Sequence, residues 1–118
     1  MRRLIVVPLL ALAACGPGEA PPQPLTPEQS AALVPANPRL ATLYAGACKA
    51  CHTVKDSLAP LTGDRTQWDP RWARGEEALL ASAIQGKGGM PAGGQCFECS
   101  PDDLKALIRF MAGREDQP

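Results

Sequence analysis

The chain has little of several features that common protein classes require. Its 118 residues include one histidine, two Trp, one Tyr and two Phe, and its formal net charge is zero. A balanced charge offers no basic surface for nucleic acid. No stretch alternates apolar and polar residues for long, so a β-sheet domain is not predicted. A chain this short buries a modest core, and such domains usually need disulfides, a metal or a large cofactor.

Cysteine, by contrast, is abundant: the chain has five, and the first ends an N-terminal targeting signal. Two arginines precede an apolar run from Leu4 to Leu12, which is the layout of a secretory signal peptide. The run contains Pro8 and is too short for a transmembrane helix. Its ending, LAAC, resembles the lipobox of bacterial lipoproteins, which are cut before the cysteine. We therefore predict a signal peptide over residues 1–14 and a lipid on Cys15; the alternative is a plain signal peptide with an incidental cysteine.

The segment after the lipobox is predicted to be a tether. Residues 15–37 include the stretch GPGEAPPQPLTPEQ, which is rich in proline and glycine and has little to bury. Such a composition is typical of semi-rigid or disordered linkers. The folded domain is then predicted to span residues 38–118 and to stand off the membrane.

Helical periodicity dominates the predicted domain. NPRLATLYAGACKACH begins with Asn37 as an N-cap and Pro38 at the first helical position. GEEALLASAIQ is predicted to end at Gly86, and SPDDLKALIRFMAG follows its cap Ser100. DPRWARG is predicted to form a short helical turn capped by Asp69. The sequence therefore predicts a small all-α domain.

The segment CKACH has the spacing of a c-type haem attachment motif. Its two thiols, Cys48 and Cys51, are one helical turn apart, which suits addition to the two vinyl groups of one haem. The next residue, His52, would then present its imidazole to the iron as the proximal ligand. We therefore predict one covalent haem c.

Two other uses of the cysteines have to be weighed against haem. Cys96 and Cys99 in CFEC could join the first pair in a four-cysteine zinc site. The two pairs are more than forty residues apart, whereas zinc knuckles are usually separated by about 15–20 residues. A thioredoxin-like redox motif needs a βαβ unit, which the sequence does not show. Haem attachment is therefore the favoured interpretation, and zinc stays an alternative.

A haem iron needs a second axial ligand or an open site. His52 is the single histidine, so ligation by two histidines of this chain is excluded. Met111 lies on the apolar stripe of the last helix, where core packing explains it. Met90 lies in GKGGMPAGG, a loop with few side chains whose backbone can approach a flat cofactor. Met90 is therefore the predicted ligand; the alternative is a loop methionine that covers an apolar patch.

Taken together, these motifs resemble class I cytochromes c, and especially the short bacterial cytochrome c-five group. The similarity rests on CKACH, APLTGDRTQWDPR, GKGGMPAGG, CFEC and DDLKALIRFM, which occur in this order. It implies the class I cytochrome c fold, in which helices wrap around one covalently bound haem and the first and last helices cross.

The resemblance also implies particular residue roles. It implies His52 and Met90 as axial ligands, a carbonyl of Pro60 that holds the imidazole, and a disulfide between Cys96 and Cys99. A bonded proximal histidine fits the general need to fix the ring of a metal ligand.

Two residues after the proximal loop are predicted to contact the haem carboxylates. Trp68 and Arg71 could each donate a hydrogen bond to a propionate, because a buried carboxylate needs donors. The alternatives are core packing for Trp68 and a solvated surface for Arg71.

These observations predict a monohaem cytochrome c that transfers single electrons on the periplasmic side of a bacterial membrane, inner or outer. The expected partners are redox proteins of a respiratory or similar chain. An enzyme is not predicted, because both axial positions are filled and no nucleophile–base pair is visible. The alternatives are a haem subunit of a larger membrane oxidoreductase, a five-coordinate haem that reacts with gas or peroxide, and a zinc-bound structural lipoprotein.

Overall fold

The structure, a computed structural model, describes Gly16, Gly18 and residues 20–116, so the predicted signal peptide and Cys15 lie outside the described residues. This part of the chain forms six α-helices. They are α1 Pro27–Ala31, α2 Pro38–Leu43, α3 Lys49–His52, α4 Arg65–Trp72, α5 Glu76–Gln85 and α6 Pro101–Met111. A π-helical turn, Tyr44–Cys48, joins α2 to α3. None of the described helices is long and apolar enough to cross a membrane. The predicted all-α class is confirmed.

Helix α6 begins where the sequence predicts. The Ser100 hydroxyl accepts a hydrogen bond from the Asp103 backbone N–H, and the Asp103 carboxylate accepts one from the Ser100 N–H. This capping box satisfies two backbone donors that a helix start leaves unpaired. The apolar face of the helix is buried: Leu104, Leu107, Ile108, Phe110 and Met111. Gly113, at φ +65°, supplies the left-handed residue that follows the helix.

The core lies where the end of α2 meets α6. Tyr44 is 1% exposed, and its ring meets that of Phe110 edge to face, with centroids 5.0 Å apart. That geometry is favourable for aromatic pairs. The buried Tyr44 hydroxyl donates a hydrogen bond to Thr62 Oγ1 over 2.9 Å. The end of α2 therefore packs against α6, and the Tyr44 hydroxyl ties this contact to the loop that follows α3.

The predicted cap at Asp69 is wrong. Helix α4 begins at Arg65, because the Asp64 side chain accepts the backbone N–H of Thr66 over 3.0 Å. Asp64 is fully buried and holds the helix start one turn earlier than predicted. Asp69 lies inside the helix, where it pairs with Arg114 over 2.7 Å.

The predicted tether of residues 15–37 is not extended throughout. Helix α1 forms in its second half, because Thr26 and Gln29 make a capping box and Pro27 occupies the first helical position. Ser30 on this helix is fully buried against the domain. We call residues 25–35 the strap. The proline-rich composition indicated a linker, but the cap and the apolar residues of the strap allow it to fold against the domain.

Helices α5 and α6 are joined by a charged pair. The Glu76 carboxylate accepts hydrogen bonds from Nε and Nη2 of Arg109, the latter over 2.9 Å. These bonds to Arg109 lower the pKa of Glu76. The two side chains are 18% and 30% exposed, so solvent screens the pair only in part.

We expect Glu76→Gln to lower the free energy of unfolding by about 0.5–1 kcal/mol near neutral pH. A carboxylate with a depressed folded pKa stabilises above its unfolded pKa, and this contribution is lost as the pH falls through the folded value. The difference from wild type should therefore shrink below the ordinary pKa of 4.5. Urea unfolding of the haem-loaded protein near neutrality and near pH 3 measures this. Glu77→Gln, at a side chain 78% exposed, is the control; an equal loss for Glu76→Gln at both pH values would contradict the prediction.

Candidate functional site

A cavity of about 670 Å³ lies among α3, α5, α6 and the loops that connect them. Its volume is within the range of sites for small molecules and cofactors. Much of its wall is apolar: Trp68, Leu79, Ala83, Leu104, Leu107, Ile108 and Met111. The residues predicted to hold a haem also line it: Cys48, Cys51, His52, Pro60 and Met90. The fold therefore brings these predicted residues together around one space.

The two attachment cysteines lie on the turn that leads into α3. Cys48 ends the π-helical turn and is half-buried, whereas Cys51 lies in α3 and is exposed; both thiols are free. Burial raises the pKa of the Cys48 thiol to about 11. Wide π turns often occur at functional sites. The turn therefore brings one half-buried and one exposed thiol to the same cavity.

The His52 imidazole is buried and held by one hydrogen bond. Its Nδ1 lies 2.8 Å from the Pro60 carbonyl oxygen, the contact that the resemblance implies. A carbonyl can only accept, so Nδ1 carries the proton and Nε2 of the neutral ring carries a lone pair. Burial lowers the pKa of His52, and this outweighs the opposite effect of the Pro60 hydrogen bond. The ring is therefore kept in the neutral form that a metal ligand needs.

Trp68 lines the cavity and positions the proximal loop, and its indole N–H has a partner within the protein. The indole N–H is its single donor, and it is donated to the Leu61 carbonyl over 2.9 Å. The ring also stacks on His52, with centroids 5.9 Å apart and planes at 25°. Leu61 follows Pro60 directly, so Trp68 contributes to holding the carbonyl that orients the imidazole.

Among the described residues, the charged side chains that line the cavity are all cations. Arg71, Arg74 and Lys87 line it, and no carboxylate side chain of the described residues does so. Such a wall suits a ligand that carries carboxylates, because a buried carboxylate needs a counter-charge. Of these three cations, only Arg71 was predicted from the sequence. The three-residue spacing of the arginines in RWAR could have indicated Arg74. Lys87 lies after the end of α5, and only the tertiary fold brings it to the cavity.

A tight turn fixes the backbone of Met90. Lys87 and Met90 exchange two backbone hydrogen bonds, of 2.9 and 3.0 Å. Gly86 precedes the turn at φ +82°, and a Cβ there would lie 2.9 Å from the Met90 carbonyl oxygen, so the close approach requires glycine. Met90 is half-buried, whereas Met111 on α6 is 4% exposed. One loop methionine and one core methionine thus border the cavity.

Cys96 and Cys99 are joined by a disulfide, with their Cα atoms 5.3 Å apart. The bridge immediately precedes Ser100, the cap of α6, so it ties the methionine loop to that helix. It also occupies two of the four sulfurs that the zinc alternative requires. Within residues 20–116, no group of three or more His, Cys, Asp or Glu side chains could hold a metal ion.

The side chains around the cavity fit a covalently attached haem. Two free thiols lie one turn apart at its edge, and a neutral imidazole lies beside them. A thioether lines the same space from a fixed turn, and cations are present for two carboxylates. This is the donor set that a c-type haem with one histidine ligand requires.

Comparison with known proteins gives the same indication. Residues 35–111 match the family described as cytochrome C oxidase, cbb3-type, subunit III. The chain is 41% identical over 68 residues to a cytochrome c5 of Azotobacter vinelandii, an alignment that covers 56% of this chain and 82% of the relative. It is 32% identical over 75 residues to a cytochrome c-555 of Chlorobaculum tepidum, covering 60% of this chain and 69% of the relative.

A solved structure is similar over most of its length. It is a chain in the crystal structure of an electron transfer complex of nitrite reductase with cytochrome c, and it is 35% identical to this chain. The two superimpose with a TM-score of 0.59, which covers 67% of this chain and 96% of the other.

Proposed function

Because the chain belongs to the class I cytochrome c family, we propose that it carries single electrons while anchored to a bacterial membrane by a lipid on Cys15, with its haem iron held between His52 and Met90. Membership of the family assigns it one covalent haem c and a role in electron transfer. The haem iron supplies the redox chemistry, and the protein supplies attachment, orientation and electrostatics.

The observation that carries the proposal is the hydrogen bond from His52 Nδ1 to Pro60 in a cavity that Met90 also lines. It leaves the Nε2 lone pair for iron, and the turn at Met90 supplies a thioether. A His/Met pair raises the reduction potential and so favours ferrous iron. Two protein ligands leave no position for a substrate, so we do not propose an enzymatic activity.

The remaining cavity residues hold the group and exclude water from it. Cys48 and Cys51 would form the thioether links, and the cations Arg71, Arg74 and Lys87 would balance the propionates. The apolar side chains of α5 and α6 lower the local polarity, which is one of the ways in which a protein sets a haem potential.

The proposed anchor is supported by the lipobox and by the short segment that follows it. Residues 20–24 are exposed and belong to no helix, and the strap begins directly after them. The nine residues 16–24 separate Cys15 from the strap, and a chain of that length spans at most about 30 Å. The haem domain would stay within about that distance of Cys15, on the periplasmic side of the inner or outer membrane, close to redox partners in or near that membrane.

A membrane fractionation combined with a redox titration tests the proposal. In a host that attaches haem, we expect haem absorbance in the membrane fraction and a single one-electron step in the potentiometric titration. Cys15→Ser, with residues 1–14 replaced by a plain secretory signal peptide so that the chain is still cut, should give the same step in the soluble fraction, because it removes the lipid anchor alone. Soluble haem in both cases would refute the anchor, and the lack of a one-electron step would refute the electron carrier.

One alternative has a specific observation in its favour. The family matched by residues 35–111 is described as an oxidase subunit, so the chain could be a haem subunit of a larger membrane oxidoreductase. The similar solved chain, in contrast, comes from an electron transfer complex with nitrite reductase, which supports a separate carrier that docks on a redox enzyme. Size-exclusion chromatography of gently solubilised membranes distinguishes the two, since a subunit would elute with its complex and a carrier by itself.

A further inference from the structure

The strap, residues 25–35, reaches the backbone of the predicted iron ligand. Ser30 is 0% exposed, and its hydroxyl donates a hydrogen bond to the His52 carbonyl oxygen over 3.2 Å. The same oxygen accepts the Thr62 backbone N–H over 2.7 Å. The His52 carbonyl is thus fixed from two sides, by the proximal loop and by a segment more than twenty residues earlier in the chain.

Apolar contacts also seat the strap on the proximal loop. The side chains of Leu25 and Leu33 lie over Gly63: a Cβ at Gly63 would be 3.2 and 2.3 Å from their Cδ1 atoms. Gly63 is itself bonded to α6, because its N–H donates to the Met111 carbonyl over 2.7 Å.

The helix in the strap is too short to be stable by itself. Helix α1 has five residues, and isolated helices shorter than about 12–15 residues are marginal in water. Its order therefore depends on docking to the domain. The strap also lies almost entirely before residue 35, where the match to the family begins. It is thus an addition to the family domain that is built onto the loop carrying Pro60.

We propose that the strap is part of the unit that ligates iron, with Ser30 as a positioning residue for His52. By bonding the His52 carbonyl beside Thr62, Ser30 holds the end of α3 against the loop whose Pro60 carbonyl orients the imidazole. Loss of this bond lets the end of α3 and the loop move relative to each other, which alters the orientation of the imidazole and hence the iron. The segment that leads to the membrane anchor is thereby linked to the redox centre.

The first test uses the unmodified, haem-loaded full chain. Amide hydrogen exchange followed by NMR should show the Ser30 N–H exchanging at least about tenfold more slowly than in an unstructured peptide, because it donates to the Thr26 carbonyl over 3.0 Å in a short helix that is ordered only by docking. Exchange at the unstructured rate would show that the strap is undocked in solution and would overturn the proposal. This measurement does not depend on which residues ligate iron.

The second test compares Ser30→Ala with Thr42→Ala. The Thr42 hydroxyl also donates to a backbone carbonyl, that of Pro38 over 3.1 Å, but it lies on an exposed helix surface. We expect Ser30→Ala to shift the midpoint potential and the hyperfine-shifted proton resonances of His52, and Thr42→Ala to change neither. Ser30→Thr retains the hydroxyl and should restore values closer to wild type than those of Ser30→Ala.

The outcomes separate this inference from the proposed function on which it rests. Unchanged His52 resonances and potential in Ser30→Ala, beside a normal wild-type spectrum, would refute the role of Ser30 alone. If wild type itself shows no hyperfine-shifted His52 protons, the proposed ligation is wrong. If Ser30→Ala fails to retain haem, Ser30→Thr and the exchange rate of wild type still decide the matter.

Discussion

Replacing Met90 with alanine is expected to leave the haem attached and to open one axial position on the iron. The weak ferric absorption band near the red edge of the spectrum, which marks a methionine–iron bond, should disappear. The midpoint potential should fall by a sizeable part of the roughly 0.8 V that axial ligands span. The reduced variant should bind carbon monoxide, whereas the reduced wild type should not. Optical spectra with and without carbon monoxide, together with a redox titration, measure all three effects.

Met111→Leu is the matched control for this experiment, because Met111 lines the same cavity and is 4% exposed. Exchanging methionine for leucine in a core usually lowers the free energy of unfolding by less than about 1.5 kcal/mol, so the variant should fold and keep the ferric band. If the band is lost in Met111→Leu and kept in Met90→Ala, the ligand is the core methionine. If the reduced wild type binds carbon monoxide, the iron is five-coordinate and the gas- or peroxide-reactive alternative is favoured.

The double substitution Cys48→Ala, Cys51→Ala is expected to abolish covalent haem and, with it, most of the fold. Without haem, the apolar wall of this cavity faces water, which costs roughly 25 cal/mol per Å² of apolar surface left unburied. Domains of this kind are stable by about 5–15 kcal/mol in total. We therefore expect no haem stain on a denaturing gel, and a far-ultraviolet circular dichroism spectrum with little helix.

The second pair of cysteines offers the control. Cys96→Ala, Cys99→Ala removes the disulfide, and the thiols that line the cavity stay in place. We expect this variant to keep its covalent haem, with lower stability, since a disulfide contributes up to a few kcal/mol. If the Cys96→Ala, Cys99→Ala variant loses the haem stain and the Cys48→Ala, Cys51→Ala variant keeps it, the haem is attached to Cys96 and Cys99 instead. Cooperative unfolding of the haem-free first variant would show that the cavity does not limit the stability of the domain.

Much of the fold follows from local patterns in the sequence. Helix α6 is specified by a capping box, by an apolar repeat at three and four residues, and by Gly113, all within one segment. The cap at Asn37 and the end of α5 at Gly86 are equally local. The start of α4 was mispredicted because Asp64 and Asp69 are both good caps. The choice between them depends on the burial of Asp64 and on the partner of Asp69, Arg114, which is distant in sequence.

In the candidate site, too, some residues could be predicted from the local sequence and others only from the fold. CKACH carries the attachment chemistry in adjacent residues, so Cys48, Cys51 and His52 could be named from spacing alone. Pro60 was named through the family resemblance, and the structure contains its hydrogen bond to His52. The hydrogen bond from Trp68 to a propionate stays a prediction; its N–H donates to the Leu61 carbonyl, which only the folded loop brings near. The ligation by Met90 stays a proposal until the spectra are measured.

The sequence by itself determined the fold class, the haem motif and the helix caps at Asn37 and Ser100, because each depends on residues close together in the chain. The tertiary structure alone decided which side chains meet across long separations. It brought Arg71, Arg74 and Lys87 to the wall of one cavity, paired the indole N–H of Trp68 with the Leu61 carbonyl, and docked the strap so that Ser30 bonds to the His52 carbonyl. Contacts of this kind depend on how the helices and loops pack together, and no local pattern records that packing.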